Sequence, residues 1–271
     1  MFKFLIVLAL ASPISTWANS SFDLRIISYN IKGLPPLAGG YNRNRFTEIG
    51  RLLEVSRRSA DAPHIVALQE AFILDTNLLL KAARFPFELR GPQANFGKDE
   101  AGRNVSKLYG SGLILLSESE IKRGDDVVFG TGNCKTWDCY ANKGVQSGFL
   151  DNPNLPFLLP ILNTHMQAGR EHEAIRKVQN GIISRFIKRS IARQAFIFAG
   201  DFNFRQTQGS YHDFLSQIPN ITNSAENCVN SPDSCEISSD SSLEDVLRNN
   251  VDHQFYSNGV LKSRDGLTQY Q

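Results

Sequence analysis

Residues 195–203 read Ala-Phe-Ile-Phe-Ala-Gly-Asp-Phe-Asn, an apolar run that ends in a glycine and is followed by Asp201 and Asn203. A short apolar run of this kind, closed by a glycine, predicts a buried strand. Three other segments are also apolar runs that end in a polar residue. They are 22–30, which ends in Asn30, 64–70, which ends in Glu70, and 157–165, which ends in His165. The repetition predicts a β-sheet whose strands end in polar side chains, and strand ends converge at one edge of a sheet.

Helical patterns lie between these strands. Residues 45–58 carry apolar side chains at helical spacing, and 171–189 do the same over a longer stretch. Further apolar runs at 112–117 and 144–150 predict additional strands. Because strands and helices interleave and neither a linker nor a repeat divides them, the sequence predicts one layered α/β domain.

Composition limits the class of protein. The chain has 271 residues, of which 41% are hydrophobic and 21% charged, a balance that excludes a disordered tail, a fibre and a coiled coil. Lys+Arg total 29 against 27 Asp+Glu, so no strong overall positive charge attracts nucleic acid. A local basic groove is still compatible with this balance. Its candidate residues are Arg43, Arg45, Arg103, Lys107 and Lys143.

The first residues are typical of a signal peptide. Lys3 precedes an apolar run at 4–11, Pro13 follows, and Thr16 and Ala18 are small residues at the positions that a signal peptidase reads. We therefore expect a signal peptide at residues 1–18, cleavage after Ala18 and a secreted or periplasmic protein with its single domain at 19–271. Cleavage removes one Lys, so the mature net charge becomes 29 − 1 − 27 = +1.

The four cysteines form two close pairs, Cys134 with Cys139 and Cys228 with Cys235. In an oxidising compartment these spacings favour two local disulfides, because short loops cost the least entropy to close. Four cysteines permit three connectivities. A zinc site is the alternative, although neither pair has Cys-x-x-Cys spacing or an adjacent histidine. The second pair falls in a Ser-, Asn- and Asp-rich stretch, 224–242, that predicts a surface loop.

The polar residues at the strand ends form a chemically consistent set. Each residue taken alone also has a purely structural explanation. Asn30 could be a turn residue, and His165 a hydrogen-bonded core histidine. Glu70 and Asp201 could be carboxylates at the start of a helix. As a group they suit a phosphate and Mg²⁺ or another divalent cation. Glu70 and Asn30 are the predicted metal ligands, and oxygen donors are what Mg²⁺ prefers. The predicted phosphate-binding groups are His165, Asn30 and Asn203, and Asp201 is predicted to orient or deprotonate a water. These roles indicate metal-assisted hydrolysis of a phosphate ester.

The same residues resemble the endonuclease/exonuclease/phosphatase superfamily. The matching stretches occur in the family's order across nearly the whole mature chain: 28–30, 67–70, 109–113, 164–165, 200–203 and 251–253. The resemblance implies a four-layer αββα sandwich, that is, two packed mixed β-sheets flanked by helices, with the metal site at one edge.

Within that superfamily the centre of the chain is similar to bacterial secreted neutral sphingomyelinases. The similarity rests on Asn-Lys-Gly-Val at 142–145, Asn-Thr-His-Met-Gln-Ala at 163–168 and the helix that follows. It implies hydrolysis of sphingomyelin to ceramide and phosphocholine, with Mg²⁺ on Glu70 and the phosphate at His165, Asp201 and Asn203. We expect a monomer that meets its phospholipid substrate at a membrane surface, with nucleic acid the less favoured substrate.

The end of the chain leaves two interpretations open. Superfamily members carry an Ile-Asp-His/Tyr motif and then a terminal Ser-Asp-His whose histidine serves general acid/base chemistry. Asp252 and His253 are either that terminal catalytic pair or the earlier motif. In the second case the domain lacks its C-terminal end and its activity is in doubt. The alternatives to a sphingomyelinase are therefore a secreted DNase-like nuclease of the same fold and an inactive binding relative.

Overall fold

The computed structural model describes residues 22–35, 43–59, 61–191, 194–230 and 250–257, with the side chains of 228–230 excepted. The expected signal peptide lies outside these residues, as does the expected pair of Cys228 and Cys235. The described part contains two large sheets. A small separate hairpin pairs β4 with β5. The strands are β1 Arg25–Gly33, β2 His64–Ala71, β3 Phe87–Arg90, β4 Gly97–Lys98, β5 Asn104–Val105, β6 Ile114–Ser117, β7 Glu120–Arg123, β8 Val127–Val128, β9 Gly144–Asp151, β10 Leu159–His165, β11 Ile197–Asp201, β12 Ile221–Asn223 and β13 Asp252–Ser257.

Both large sheets are mixed. The first has the order β1-β2-β6-β3, with β1 and β2 parallel and the other pairs antiparallel. The second has the order β12-β13-β11-β10-β9-β7, with β8 also on β9, and its one parallel pair among the described residues is β10 with β11. In each sheet the parallel pair brings two strand ends to the same edge.

Helices cover the outer faces of the two sheets. They are α1 Arg43–Arg58, α2 Thr76–Ala83, α3 Glu173–Phe186, α4 Gly209–Gln217 and α5 Ser224–Asn230, with 3₁₀ turns at Thr136–Tyr140 and Arg170–His172 and a π-helical turn at Ile187–Ile191. No helix in the described ranges has both the length and the apolar character that crossing a bilayer demands.

Three apolar clusters separate four layers. On β2, Val66 and Leu68 face α1 and α2, while the alternating Ile65 and Ala67 face the second sheet. On the far side, Phe198 and its neighbours on β10 and β11 face α3 and α4. The predicted αββα sandwich is therefore confirmed.

Two local features fix the strand ends that carry the polar residues. Gly200 has φ +153°, and a Cβ there would lie 2.3 Å from the Thr164 carbonyl, so close pairing of β11 with β10 requires glycine. Between the sheets, Gln69 Nε2 donates to Asn163 Oδ1 at 2.9 Å, and Asn163 Nδ2 donates to the Leu68 carbonyl at 3.0 Å. This buried bridge sets the relative position of β2 and β10 directly below their ends.

The structure corrects some element boundaries. The helix expected at 171–189 is divided into a 3₁₀ turn, α3 and a π-helical turn, and the strand expected to begin at 195 begins at Ile197. The loop expected at 224–242 starts as helix α5, and its remainder from 231 lies outside the described residues. The predicted disulfide between Cys134 and Cys139 is present.

Candidate active site

Two carboxylates from different sheets meet at one amide. Asn30, on β1, donates through Nδ2 to Glu70 Oε1 of β2 and to Asp201 Oδ2 of β11, each at 2.9 Å. The Asn30 Oδ1 accepts from the backbone N–H of Lys32 at 2.9 Å, which orients the amide. Residues far apart in sequence therefore converge as the strand-end pattern predicts, and Asn30 bridges the two carboxylates.

His165 completes this cluster from the end of β10. Its Nε2 lies 3.8 Å from Glu70 Oε1 and 3.7 Å from Asp201 Oδ2. One ligand atom from each of Glu70, His165 and Asp201 falls within 4.8 Å of the others, a spacing that suits one bound cation. His165 pairs with Asp201 in register on the parallel strands β10 and β11, which is why both side chains reach the same edge.

Lys143 is buried beside His165, a position that the sequence alone does not predict. It precedes β9 and is 6% exposed, with Nζ 3.0 Å from His165 Nε2, 3.0 Å from the Met166 carbonyl and 2.7 Å from Asp138 Oδ1. Sequence reasoning placed it among basic residues of a nucleic-acid groove. Its position in the Asn-Lys-Gly string before a strand was the available signal, but burial against Asp138 and His165 arises from tertiary contacts.

Burial and neighbouring charge perturb the titration of these groups. Burial raises the pKa of Asp201 to about 6, although the hydrogen bond from Asn30 and the charge of Lys143 act in the opposite direction. Burial, and then the Lys143 ammonium, hold the pKa of His165 well below its usual value, so the imidazole is neutral at pH 7. Perturbed groups assembled in this way are typical of functional sites.

Two of the site residues have unusual backbone angles. Glu70 has φ +58° and Asn203 has φ +54°, in the left-handed region that non-glycine residues rarely adopt. The Asn203 N–H donates to Asp201 Oδ1 at 2.9 Å, and its Nδ2 donates to the Met166 carbonyl at 3.1 Å. The predicted Asn203 thus lies beside Asp201, and its backbone holds that carboxylate.

Asp252 and His253 are adjacent on β13 but face opposite sides of the sheet. Asp252 pairs with Asp201 in register, and burial together with the Asp201 and Glu70 carboxylates raises its pKa well above the usual value. His253 instead lies in the aromatic core, where Nε2 bonds with the Phe204 carbonyl at 2.9 Å and Nδ1 with Asn223 Nδ2 at 3.1 Å. This corrects the predicted catalytic role of His253, which is a fully hydrogen-bonded core residue, because β-strand alternation turns it away from the carboxylates.

A family model described as Endonuclease/Exonuclease/phosphatase family matches residues 27–267, most of the chain. The chain belongs to this family. The sequence matches no curated protein sequence.

Solved structures share the fold of this Endonuclease/Exonuclease/phosphatase chain at low identity. Sphingomyelinase C from Streptomyces griseocarneus is 19% identical, with TM-score 0.59 over 88% of this chain and 84% of that one. A Staphylococcus aureus beta toxin mutant with bound magnesium ions is 18% identical, with TM-score 0.60 over 86% and 83%. A mannosyl-6-phosphatase from Bacteroides thetaiotaomicron is 18% identical, with TM-score 0.58 over 87% and 86%. The fold is thus one that phosphodiesterases and phosphatases share.

The donor set of this family member fits Mg²⁺. Among the described residues, Glu70 Oε2 and Asp252 Oδ1 are buried oxygens without a hydrogen-bond partner. Carboxylate oxygens are hard ligands that Mg²⁺ prefers, and three clustered carboxyl groups exceed the single positive charge of Lys143. A divalent cation held by Glu70 would satisfy Glu70 Oε2 and offset the excess negative charge.

The basic residues expected in a nucleic-acid groove have different surroundings. Arg43 and Arg103 are 65% and 79% exposed and form ion pairs with Asp75 and Asp99. Arg45 donates to the Lys32 carbonyl at 3.0 Å, and Lys107 lies beside the Asp138 and Lys143 pair. Of the five basic residues, all within the described ranges, Lys143 contacts His165 of the candidate site.

Proposed function

We propose that the protein is a secreted, Mg²⁺-dependent phosphodiesterase that hydrolyses sphingomyelin to ceramide and phosphocholine. The observation that carries the hydrolase assignment is the convergence of Glu70, His165 and Asp201, with ligand atoms within 4.8 Å, at the strand ends of this fold. The lipid substrate is supported by the likeness to sphingomyelinase C and by the Thr-His-Met-Gln-Ala string at 164–168.

Glu70, whose Oε2 has no hydrogen-bond partner among the described residues, is the main residue that would hold the cation. When bound, Mg²⁺ supplies neutralisation of charge on the phosphate. Asn30 keeps the Glu70 and Asp201 carboxylates apart and aligned through its two N–H donors. Because a bridging amide separates them, both carboxylates can stay ionised around a cation.

Asp201 is suited to orient a water and to accept its proton. Its pKa, raised to about 6 by burial, lies closer to neutrality than that of a free aspartate, which makes it a stronger base. The backbone N–H of Asn203 fixes one of its oxygens and Asn30 the other. The carboxylate is thus held in one orientation before substrate binds.

Lys143 and His165 form the other wall of the site. Lys143 is a donor only, so its 3.0 Å contact with His165 Nε2 places the ring proton on Nδ1. The ring is neutral and the Lys143 ammonium carries the positive charge, so the ammonium offsets the developing negative charge of the phosphate while His165 holds the ammonium in place. Asn203 offers a third polar group beside them.

The test incubates the mature chain, residues 19–271, with Mg²⁺ and, in separate reactions, sphingomyelin vesicles and plasmid DNA. Phosphocholine release that EDTA abolishes, without nicking of the plasmid, is the expected result. Nicking without phosphocholine release would replace the proposal with a nuclease, and neither product at any Mg²⁺ concentration would replace it with a binding protein. Glu88→Gln, an exposed carboxylate on β3, is the control for removal of one charge.

A further inference from the structure

The loop closed by the disulfide Cys134–Cys139 presents two aromatic rings to solvent. Trp137 is 80% exposed and Tyr140 is 51% exposed, and their ring centroids lie 5.7 Å apart. Large aromatic side chains normally bury most of their surface, and an exposed pair of them indicates a contact surface. We call residues 134–140 the stapled loop.

The stapled loop is fixed against the catalytic residues. Asp138 forms the ion pair with Lys143, and its Oδ2 accepts from the Ala168 N–H at 2.7 Å. The Lys135 N–H donates to Gln167 Oε1, also at 2.7 Å. Gln167 and Ala168 lie two and three residues after His165, and Lys143 links Asp138 to His165, so the stapled loop with its aromatic pair borders the candidate active site.

The outer side of the stapled loop is both apolar and positively charged. Leu108 is 67% exposed and precedes Tyr109, whose N–H donates to the Tyr140 carbonyl at 2.9 Å. Lys135 is exposed, whereas Asp138, the loop's carboxylate, is directed inward to Lys143. Apolar rings beside an outward cation match the interface of a phospholipid bilayer, where Trp and Tyr settle at the level of the phosphate-bearing head groups.

We propose that the stapled loop docks the protein on a phospholipid bilayer and so holds the active site against its lipid. The choice of a bilayer rests on the proposed function, since a lipid whose phosphate enters the site leaves its acyl chains in the membrane. The rigidity that the disulfide and the Asp138 contacts give the loop keeps the entropic cost of docking small. The test distinguishes this docking from binding of the stapled loop to a second copy of the chain or to a protein partner.

Binding is measured without turnover. The mature chain, residues 19–271, has Trp137 as its one tryptophan. It is mixed in EDTA with sucrose-loaded vesicles of sphingomyelin and phosphatidylcholine, then sedimented. We expect a blue shift of Trp137 emission and quenching by brominated lipid. In the natural sequence, the double variant Trp137→Ala/Tyr140→Ala should lower vesicle binding about tenfold or more. Leu52→Ala, which removes an exposed apolar side chain on α1, should leave binding unchanged.

Two substrates separate docking from catalysis. The double variant should lose activity on sphingomyelin vesicles in proportion to binding, yet keep its rate on the soluble diester bis(p-nitrophenyl) phosphate. Equal binding by the natural protein and the double variant would overturn the proposal, as would an equal loss of the soluble activity or a Trp137 shift that follows dimerisation instead of lipid. Vesicle binding through Trp137 with no sphingomyelin hydrolysis would support docking and reject the proposed substrate.

Discussion

His165 and His253 are both buried histidines, 3% and 1% exposed, yet their surroundings differ in kind. Both ring nitrogens of His253 have hydrogen-bond partners, and the ring contacts Phe202, Phe204 and Tyr211. His165 Nδ1 has no partner among the described residues, and Nε2 faces Lys143 and two carboxylates. One histidine is part of the core and the other belongs to the site.

The difference shows how this fold separates stability from chemistry. Buried polar groups are normally satisfied, so an unsatisfied one costs stability unless a ligand completes it. At the strand ends, His165 Nδ1, Glu70 Oε2 and Asp252 Oδ1 are all without partners among the described residues. On the opposite side of the second sheet, His253 is satisfied. Substitutions at the first group should therefore alter activity, and substitutions at His253 should alter folding.

Glu70→Gln should have the largest effect. It removes the carboxylate with the free oxygen, so metal-dependent turnover should fall more than about 100-fold, the upper range for loss of a metal's supporting partners. Mg²⁺ should raise the melting temperature of the natural protein but not of the variant, because a bound ligand stabilises the folded state by mass action. Phosphocholine release and thermal scans with and without Mg²⁺ provide the measurements. A variant that keeps full activity would remove Glu70 from the site.

His165→Ala should reduce kcat by about 100-fold, roughly 3 kcal/mol of transition-state stabilisation, the scale of one deleted polar group in an active site. Its folding stability should change less than its activity, since the ring has one hydrogen-bond partner and lies among charges. Turnover number and urea midpoint are compared with those of the natural protein. If kcat is unchanged while stability falls, His165 is structural and the contrast with His253 is lost.

The sequence predicted the layered fold because apolar strands and amphipathic helices alternate with clear periods. It also predicted that Asn30, Glu70, His165 and Asp201 converge, because strand ends share an edge. The role of His253 was misjudged although a signal existed: in a strand His253 shares a face with Phe255, while Asp252 points the other way. The burial of Lys143 had no such signal, since it depends on Asp138 in the stapled loop.

His253→Ala should mainly destabilise the fold, by roughly 2–4 kcal/mol, because it opens a cavity in an aromatic cluster and leaves the Phe204 carbonyl without its partner. Activity per folded molecule should stay close to that of the natural protein. Urea unfolding gives the first quantity and active-site titration normalises the second. Lower specific activity with unchanged stability would return His253 to the catalytic set.

The pH dependence of unfolding provides the smallest of these effects. Burial lowers the pKa of His253 to about 4 from an unfolded value of 6.5, so between these values the unfolded chain binds a proton that the folded chain does not. Stability from His253 is therefore complete above pH 6.5 and lost as the pH falls towards 4, by about 2 kcal/mol between pH 7 and pH 5.

Burial raises the pKa of both Asp126 and Asp201 to about 6, which changes the stability with pH in the opposite direction. The natural protein must therefore be compared with His253→Gln, which keeps a donor for Phe204 but does not titrate. The difference in unfolding free energy between the two proteins should shift by that amount over this range, and a constant difference would mean that the pKa of His253 is the same in the folded and the unfolded chain.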